Sequence, residues 1–430
     1  MFHRILALTL LAAAICTSAP LAGADDAQPA PIPGQAPKGR VIIDGAVASK
    51  ADPPSYAISY VADDAVAGTS LRAVLKCAVK VDKMVKNAKT GQEEKKSVTE
   101  HVLKTVPITL KKQGEAAVSL ADAVKGAGVE LFLAGSGEKP EPISNSLLLR
   151  PVKEGWTLPE APDLPKVEQA LPEKAPAAPA KPRKVLAFTY ATGFYHSSIP
   201  VCARATQMLG DRTGAWKTVI SNDKFMFEPE TLAQFDAVMM CSTTGSLFGA
   251  DKAANERLRK SFLDFVSGGK GLAGSHAATD CSYDWKEYGQ MIGGFFAGHP
   301  FGRIRVKNED PKSPINAAFK GEDFDFQDEM YVFRDPYSRE KLRILLSIDL
   351  AKSPMKDDPK KPGFKMGENR EDHDYAISWV REHGQGRVFY CSFGHDHRVF
   401  QTPSIMQHFL AGIRYALGDL KADATPSAKR

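Results

Sequence analysis

Gly268-Gly269-Lys270-Gly271-Leu272-Ala273-Gly274-Ser275-His276-Ala277-Ala278-Thr279-Asp280 decides the fold of this chain. A short apolar run, 272–274, enters a sharp turn at Ser275-His276, and the small residues Ala277 and Ala278 follow. Small neighbours let a tight strand–turn–helix elbow push one side chain out of the end of a sheet. The side chain pushed out here is an imidazole, His276, not a serine or cysteine.

An elbow needs a sheet around it, and the flanking sequence supplies one. Residues 185–190, 216–220 and 235–241 are apolar strands, and 197–210 and 251–266 read as helices between them. Strands apolar along both faces that alternate with helices predict a parallel sheet covered on both sides. Runs at 302–306, 330–333, 342–348, 375–380 and 386–392 extend that sheet, and 403–417 is a closing helix. The α/β domain is therefore expected over 184–419, with a polar, disordered tail at 420–430.

The chain ahead of it divides by composition. A basic start, an apolar core at 5–15 and Ala22-Gly23-Ala24 read as a cleaved signal peptide over 1–24. The expected destination is secreted or periplasmic. Residues 25–40 are rich in Ala, Pro and Gln and are expected to be disordered. Short alternating runs at 57–61, 71–81, 102–110, 129–133 and 147–152 predict a small, mostly-β, sandwich-like accessory domain over 41–155. Within it, 86–91 reads as a hairpin tip and 120–126 as the one helical turn. Residues 156–183, dense in Pro and Ala, read as a semi-stiff linker.

A net charge of +5 on 430 residues, with no basic block interleaved with aromatics, gives no reason to expect a nucleic-acid partner. No run after the leader is long and apolar enough for a membrane helix. Cys16 falls in the leader, and the other five cysteines form no C-x-x-C pair, so buried free thiols are expected. The sequence leaves a homodimer open.

In open α/β sheets the ligand crevice lies at the carboxyl ends of the strands. His196, Thr243 and Thr244, His276 and Asp280, and the pair His395 and His397 all follow strands. His299 sits in Gly-His-Pro, and Asp328-Glu329 precedes the run at 330–333. His395 and His397, two apart, face one way in extended chain, as paired metal ligands do. His373 reads as a surface residue, and His383 and His408 as structural ones. Two chemistries fit this set. Imidazoles with a carboxylate hold a divalent metal such as zinc, or they act as general acid and base without one. The sequence does not separate them. It carries no G-x-S-x-G, P-loop or dinucleotide fingerprint.

Residues 184–418 resemble the ThuA-like, trehalose-utilisation family. The resemblance rests on Val185-Leu186-Ala187-Phe188 with Gly193 and His196, and on Gly269 to Ala278. It also rests on Gly293-Gly294-Phe295-Phe296 with Gly298-His299-Pro300, on Asp328-Glu329-Met330-Tyr331, and on Trp379 with 384–390 through Gly394-His395. It implies a class I glutamine-amidotransferase-like, flavodoxin-like fold. It also implies a role in carbohydrate metabolism through 3-keto derivatives of trehalose or other glycosides. Relatives with amidotransferase activity carry a cysteine at the elbow. Here that position is His276, and Cys281 lies past the turn, so thiolate hydrolysis of glutamine is not expected.

The first functional reading is an exported enzyme, a hydrolase, lyase or isomerase acting on a sugar or glycoside. His276, Glu329 and His196 are its expected catalytic groups. His299 and His395, with His276 or His196, are its expected metal ligands. Tyr195, Thr244, Asp280, Trp285 and Tyr331 are its expected substrate contacts. The second reading is a non-catalytic carbohydrate-binding or scaffold protein on a degenerate amidotransferase fold.

Overall fold

The structure, a computed structural model, describes residues 36–48, 55–86, 92–119, 128–137, 140–152, 155–157, 164–249, 251–299, 301–353, 370 and 372–429. The expected leader, most of the segment 25–40, the helical turn at 120–126 and all but the first residue of the hairpin tip lie outside these residues.

Eight strands precede the α/β region. They are β1 (Val41–Ala48), β2 (Ser55–Ala62), β3 (Ser70–Lys86), β4 (Glu93–Thr109), β5 (Gln113–Ser119), β6 (Gly128–Gly135), β7 (Leu147–Val152) and β8 (Gly155–Thr157). They form two antiparallel sheets, in the orders β1-β2-β5 and β4-β3-β6-β7-β8. Period-two alternation places Ile43, Ile58 and Tyr60 of the first sheet in one core with Ala73, Leu75, Cys77, Leu131 and Leu133 of the second. Segment 36–40, expected to be disordered, is instead packed: Ala36 is buried, and Arg40 pairs with the buried Asp223 and lies 4.6 Å over the Phe225 ring.

The linker is likewise not a free spacer. It carries a short helix, α1 (Leu164–Gln169), whose Val167 is buried in the α/β core together with Ala170. Ala177 offers its carbonyl to Arg414, and the Ala180 N–H donates to Asp419 at 3.1 Å. Apolar residues at helical spacing gave the linker a face to bury, which composition alone did not register.

The α/β region contributes strands β9 (Lys184–Phe188), β10 (Lys217–Ser221), β11 (Ala237–Cys241) and β12 (Gly271–Ser275). After these come β13 (Phe295–Gly298), β14 (Phe301–Asn308), β15 (Phe324–Glu329), β16 (Val332–Arg334), β17 (Arg343–Ile348), β18 (Ala376–His383) and β19 (Gly386–Cys391). Its helices are α2 (Ile199–Thr213), α3 (Pro229–Leu232), α4 (Lys252–Ser267), α5 (Lys286–Ile292) and α6 (Pro403–Ala416). One nine-stranded sheet runs β10-β9-β11-β12-β19-β18-β17-β14-β15. The first five strands are parallel, and the last four are joined antiparallel. The parallel sheet expected from the sequence is thus half of a mixed one. Short connections such as His383 to Gly386 allow only an antiparallel return.

Continuous apolar strands divide cleanly between the two faces. Val185 and Ala187 of β9 join the core under α2 and α6, and Leu186 and Phe188 join the core under α4 and α5. Gly271 shows how closely α6 approaches: a Cβ there would meet the Ala416 carbonyl at 2.5 Å. The run at 330–333 does not extend the main sheet. Its strand, β16, pairs with β13 in a separate two-stranded sheet. Asp328-Glu329 therefore ends β15 of the main sheet, ahead of β16 in the separate pair. The expected disordered tail is also packed: Leu420 is buried, and Ser427 bonds Leu342 O through its N–H while its hydroxyl accepts from Ile344 N. No helix among the described residues is long and apolar enough to cross a membrane.

Candidate active site

At the carboxyl end of the parallel strands the chain turns sharply three times. Ser242 after β11 and His276 after β12 have φ of 49° and 44°, and Gly394 beyond β19 has 144°. Positive φ at a non-glycine residue is strained and survives only where its surroundings hold it. His276 is held from the neighbouring strand: its Nδ1 lies 2.9 Å from Ser392 O, and the Tyr390 hydroxyl donates to its carbonyl at 2.7 Å. The elbow is real, but a single 3₁₀ turn over 276–279 follows it, and the next helix, α5, begins only at Lys286.

Around His276 gather His196 from the loop after β9, Glu329 at the end of β15, and His395 from the loop after β19. Their ligand atoms all lie within 4.8 Å of one another. Glu329 is the hub. Its Oε2 is 3.3 Å from His276 Nε2 and 3.2 Å from His395 Nδ1, and its Oε1 is 2.8 Å from His299 Nδ1. His276 is 0% exposed and His196 4%, whereas the side chains of His299 and His395 are 22% and 32% exposed. The cluster therefore has a sealed floor and an open rim.

Electrostatics follow that gradient. Burial pushes the Glu329 carboxyl up, but the imidazoles of His276, His299 and His395 around its two oxygens outweigh it and hold the group well below the usual carboxylate range. Burial pushes His196 down to about 3, reinforced by the neighbouring His276 and His395. The hydrogen bond to Glu329 raises His395 despite its own partial burial. Buried Nδ1 of His196 has no hydrogen-bond partner among the described residues.

Asp328 is the residue whose role the sequence did not separate from that of Glu329. Fully buried, it accepts from Gly394 N and Asp396 N, each at 2.9 Å, and so brackets the loop that presents His395. His397 does not pair with His395 as extended chain would have it. The chain bends after Gly394, and His397 Nε2 lies 3.1 Å from the Ser197 hydroxyl. His299 reaches only the outer oxygen of Glu329 and stands outside the four-residue group.

The expected substrate contacts fare unevenly. Trp285 is buried under α4, between Phe248 and Tyr288, and takes no part in the cluster. Tyr331 is buried too, sandwiched between His276 at 4.1 Å and Phe296 at 4.2 Å, so its faces are already used. Thr244 is buried and donates to Phe194 O at 2.9 Å, fixing the loop that carries His196. Asp280 accepts from the Tyr283 hydroxyl, and burial raises its carboxyl. Tyr195 stands exposed on the His196 loop. His373 is exposed and His408 fully buried, as expected of surface and structural residues.

Fold and site together define an α/β protein whose sheet end carries imidazoles around one carboxylate. The family model described as ThuA, trehalose utilisation, matches residues 184–416, and the chain belongs to that family. Among solved structures, a ThuA-like protein from Bacteroides uniformis is 18% identical, with 58% of this chain and 98% of that chain covered and a TM-score of 0.42. A ThuA-like protein from Parabacteroides merdae is 18% identical, covering 57% of this chain and 93% of its own, with a TM-score of 0.40. A β-galactosidase from the haloarchaeon Halorubrum lacusprofundi is 11% identical, covering 56% and 31%, with a TM-score of 0.31. No curated protein matches.

Proposed function

We propose that this is an exported carbohydrate enzyme that holds a divalent metal, of which zinc is the prime candidate, between His196, His276, Glu329 and His395, and that it acts on an oxidised (keto) sugar or glycoside. One observation carries the reading. His276 Nδ1 faces a backbone carbonyl, so it is the donor, and in the neutral ring Nε2 is a lone pair. That lone pair lies 3.3 Å from a carboxylate oxygen. Two electron-rich atoms held so close call for a cation between or beside them. A backbone carbonyl on the far nitrogen is also the usual way a metal-ligating histidine is oriented. The partnerless Nδ1 of buried His196 fits the same demand.

A metal bound there would act as a Lewis acid toward a sugar carbonyl. The rest of the chemistry falls to the chain. A keto group acidifies the neighbouring C–H, and a rim base takes that proton. His299 is placed for this, its side chain 22% exposed and its Nδ1 2.8 Å from Glu329 Oε1. Return of the proton to the former carbonyl carbon, with the neighbouring hydroxyl proton passing to the old carbonyl oxygen, gives isomerisation; departure of the glycosidic oxygen, which takes up the abstracted proton, gives elimination. Buried His196 and His276 keep water from the floor of the site. The test is metal analysis of protein purified without an affinity tag, followed by assay on 3-keto-trehalose before and after chelation. We expect near-stoichiometric metal, lost in His276→Ala, and turnover that chelation abolishes. Metal-free protein that leaves 3-keto-glycosides unchanged sinks the reading.

A further inference from the structure

Met84, Val102 and Leu103 are exposed hydrophobic side chains, at 60%, 39% and 47%, and all lie on β3 and β4. These two strands pair along their whole length, from Ser70 opposite Thr109 to Lys86 opposite Glu93. β6 backs only Leu71 to Ala78 of β3. Val79 to Lys86 therefore run on with Glu93 to Glu100 as a two-stranded ribbon, about 26 Å long at the usual rise per residue. Two strands alone are marginally stable in water. β4 is also the edge strand of its sheet, and no described strand pairs with its outer side. An open edge of that length is a template for another strand.

We propose that β4 pairs antiparallel with β4 of a second copy of this chain, about a two-fold axis at Val98, and so joins two five-stranded sheets into one. Charge selects both the occupant and the register. With Val98 on the axis, Glu100 of each copy stands opposite Lys96 of the other, and Gln92 opposite Lys104 closes the overlap at each end. A slip of two residues one way puts Glu100 opposite Val98 and loses both ion pairs; the same slip the other way puts Glu94 opposite Glu100. Odd slips set unlike faces together. Lysines alone on an edge repel a second copy, but an acid four residues from Lys96 makes this edge complementary to itself. Within the chain, Lys96 stands directly opposite Lys83, whose partner is Glu100. Like charges so placed destabilise a ribbon, and Glu100 of a second copy relieves them. On the same face Val81 is opposite Val98, and both are half-buried. Pairing sets four valines in a row across the axis, two from each copy. Pro107, with no N–H to donate, lies outside the overlap. The interface uses no residue of the histidine cluster, so its fate is independent of the metal reading.

The experiment is sedimentation velocity on the whole chain over a concentration series, with circular dichroism as the check on folding. A reversible dimer is expected. Glu100→Lys and Lys96→Glu should each weaken it by roughly tenfold, because each reversal turns two attractions across the axis into two repulsions. Glu100→Lys combined with Lys96→Glu should restore it, since opposite charges then meet again. Lys96→Glu also sets an acid opposite Lys83, so that variant should fold at least as well as wild type while dimerising less. Val98→Cys should cross-link to its own copy in a mild oxidant, whereas Thr109→Cys, beyond the overlap, should not. Monomer at every concentration, which would leave the edge to a different protein, overturns the proposal. So does a dimer that the single reversals leave untouched, or one that they break and the combined variant fails to restore.

Discussion

Asp328→Asn tests the bracket that holds the cluster together. Both carboxylate oxygens are in use: Oδ2 accepts from Gly394 N and Oδ1 from Asp396 N, at 2.9 Å each. Asparagine keeps one acceptor and turns an NH₂ toward the other backbone N–H. One charge-assisted bond is lost and a buried donor is left facing a donor. Burial already opposes the Asp328 charge, which offsets part of the loss. A fall of about 1–3 kcal/mol in unfolding free energy is expected. The functional effect is sharper, because the released segment begins at Gly394 and presents His395. Loosening an orienting partner typically weakens a metal site by about 10–100-fold. Urea unfolding in zinc and in chelator measures the first quantity, and competition with a chromophoric chelator measures the second. Zinc affinity within about twofold of wild type, with stability down, would show Asp328 to be a structural clasp that does not position His395. No change in either would refute the hydrogen-bond argument itself.

Chelated protein should lose stability as pH falls below about 6.5. The unfolded chain protonates His196 and His408 near their ordinary value of 6.5, whereas burial holds them down to about 3 and about 4 in the folded protein. The unfolded state thus binds more protons across that window. Glu329, depressed in the fold, acts in the same direction from its ordinary value of 4.5 downward. His395, raised in the fold, works oppositely: its contribution is complete below about 6.5 and fades as pH rises through its folded value. Urea midpoints measured from about pH 8 to pH 4 check this, and a flat profile contradicts it. Cys77, Cys202, Cys241, Cys281 and Cys391 are buried thiols, with Cys281 pushed up to about 12 by burial. A thiol reagent should therefore label none of them in native protein and all of them in urea; rapid native labelling contradicts the packing.

The parallel half of the sheet was legible because β9, β11 and β12 are buried on both faces and so read as unbroken apolar runs. The antiparallel half was not. β15, Phe324–Glu329, alternates half-buried and exposed residues before two buried acidic ones, so only its last two residues drew notice. Composition misjudged the segments at 36–40, 156–183 and 420–430. Each is held by a few specific contacts, such as Arg40 with Asp223, Val167 in the core, and Ser427 on β17. Amino-acid averages do not encode contacts of that kind.

The imidazoles were legible because strand ends point where the sheet ends. The aromatic rim was not: whether Trp285 or Tyr283 faces solvent depends on where α5 begins. Nor did the sequence tell that the elbow residue would be fully buried. Burial alone is no argument against function here. His276 packs against Tyr331, with ring centroids 4.1 Å apart. The chain adopts a left-handed conformation there, costing about 1–2 kcal/mol, and it commits the Ser392 carbonyl and the Tyr390 hydroxyl to holding it. It also aims a ring nitrogen at Glu329 with no hydrogen-bond partner in line. On the proposed metal reading, a cation shared among the rings is what that ring nitrogen would face.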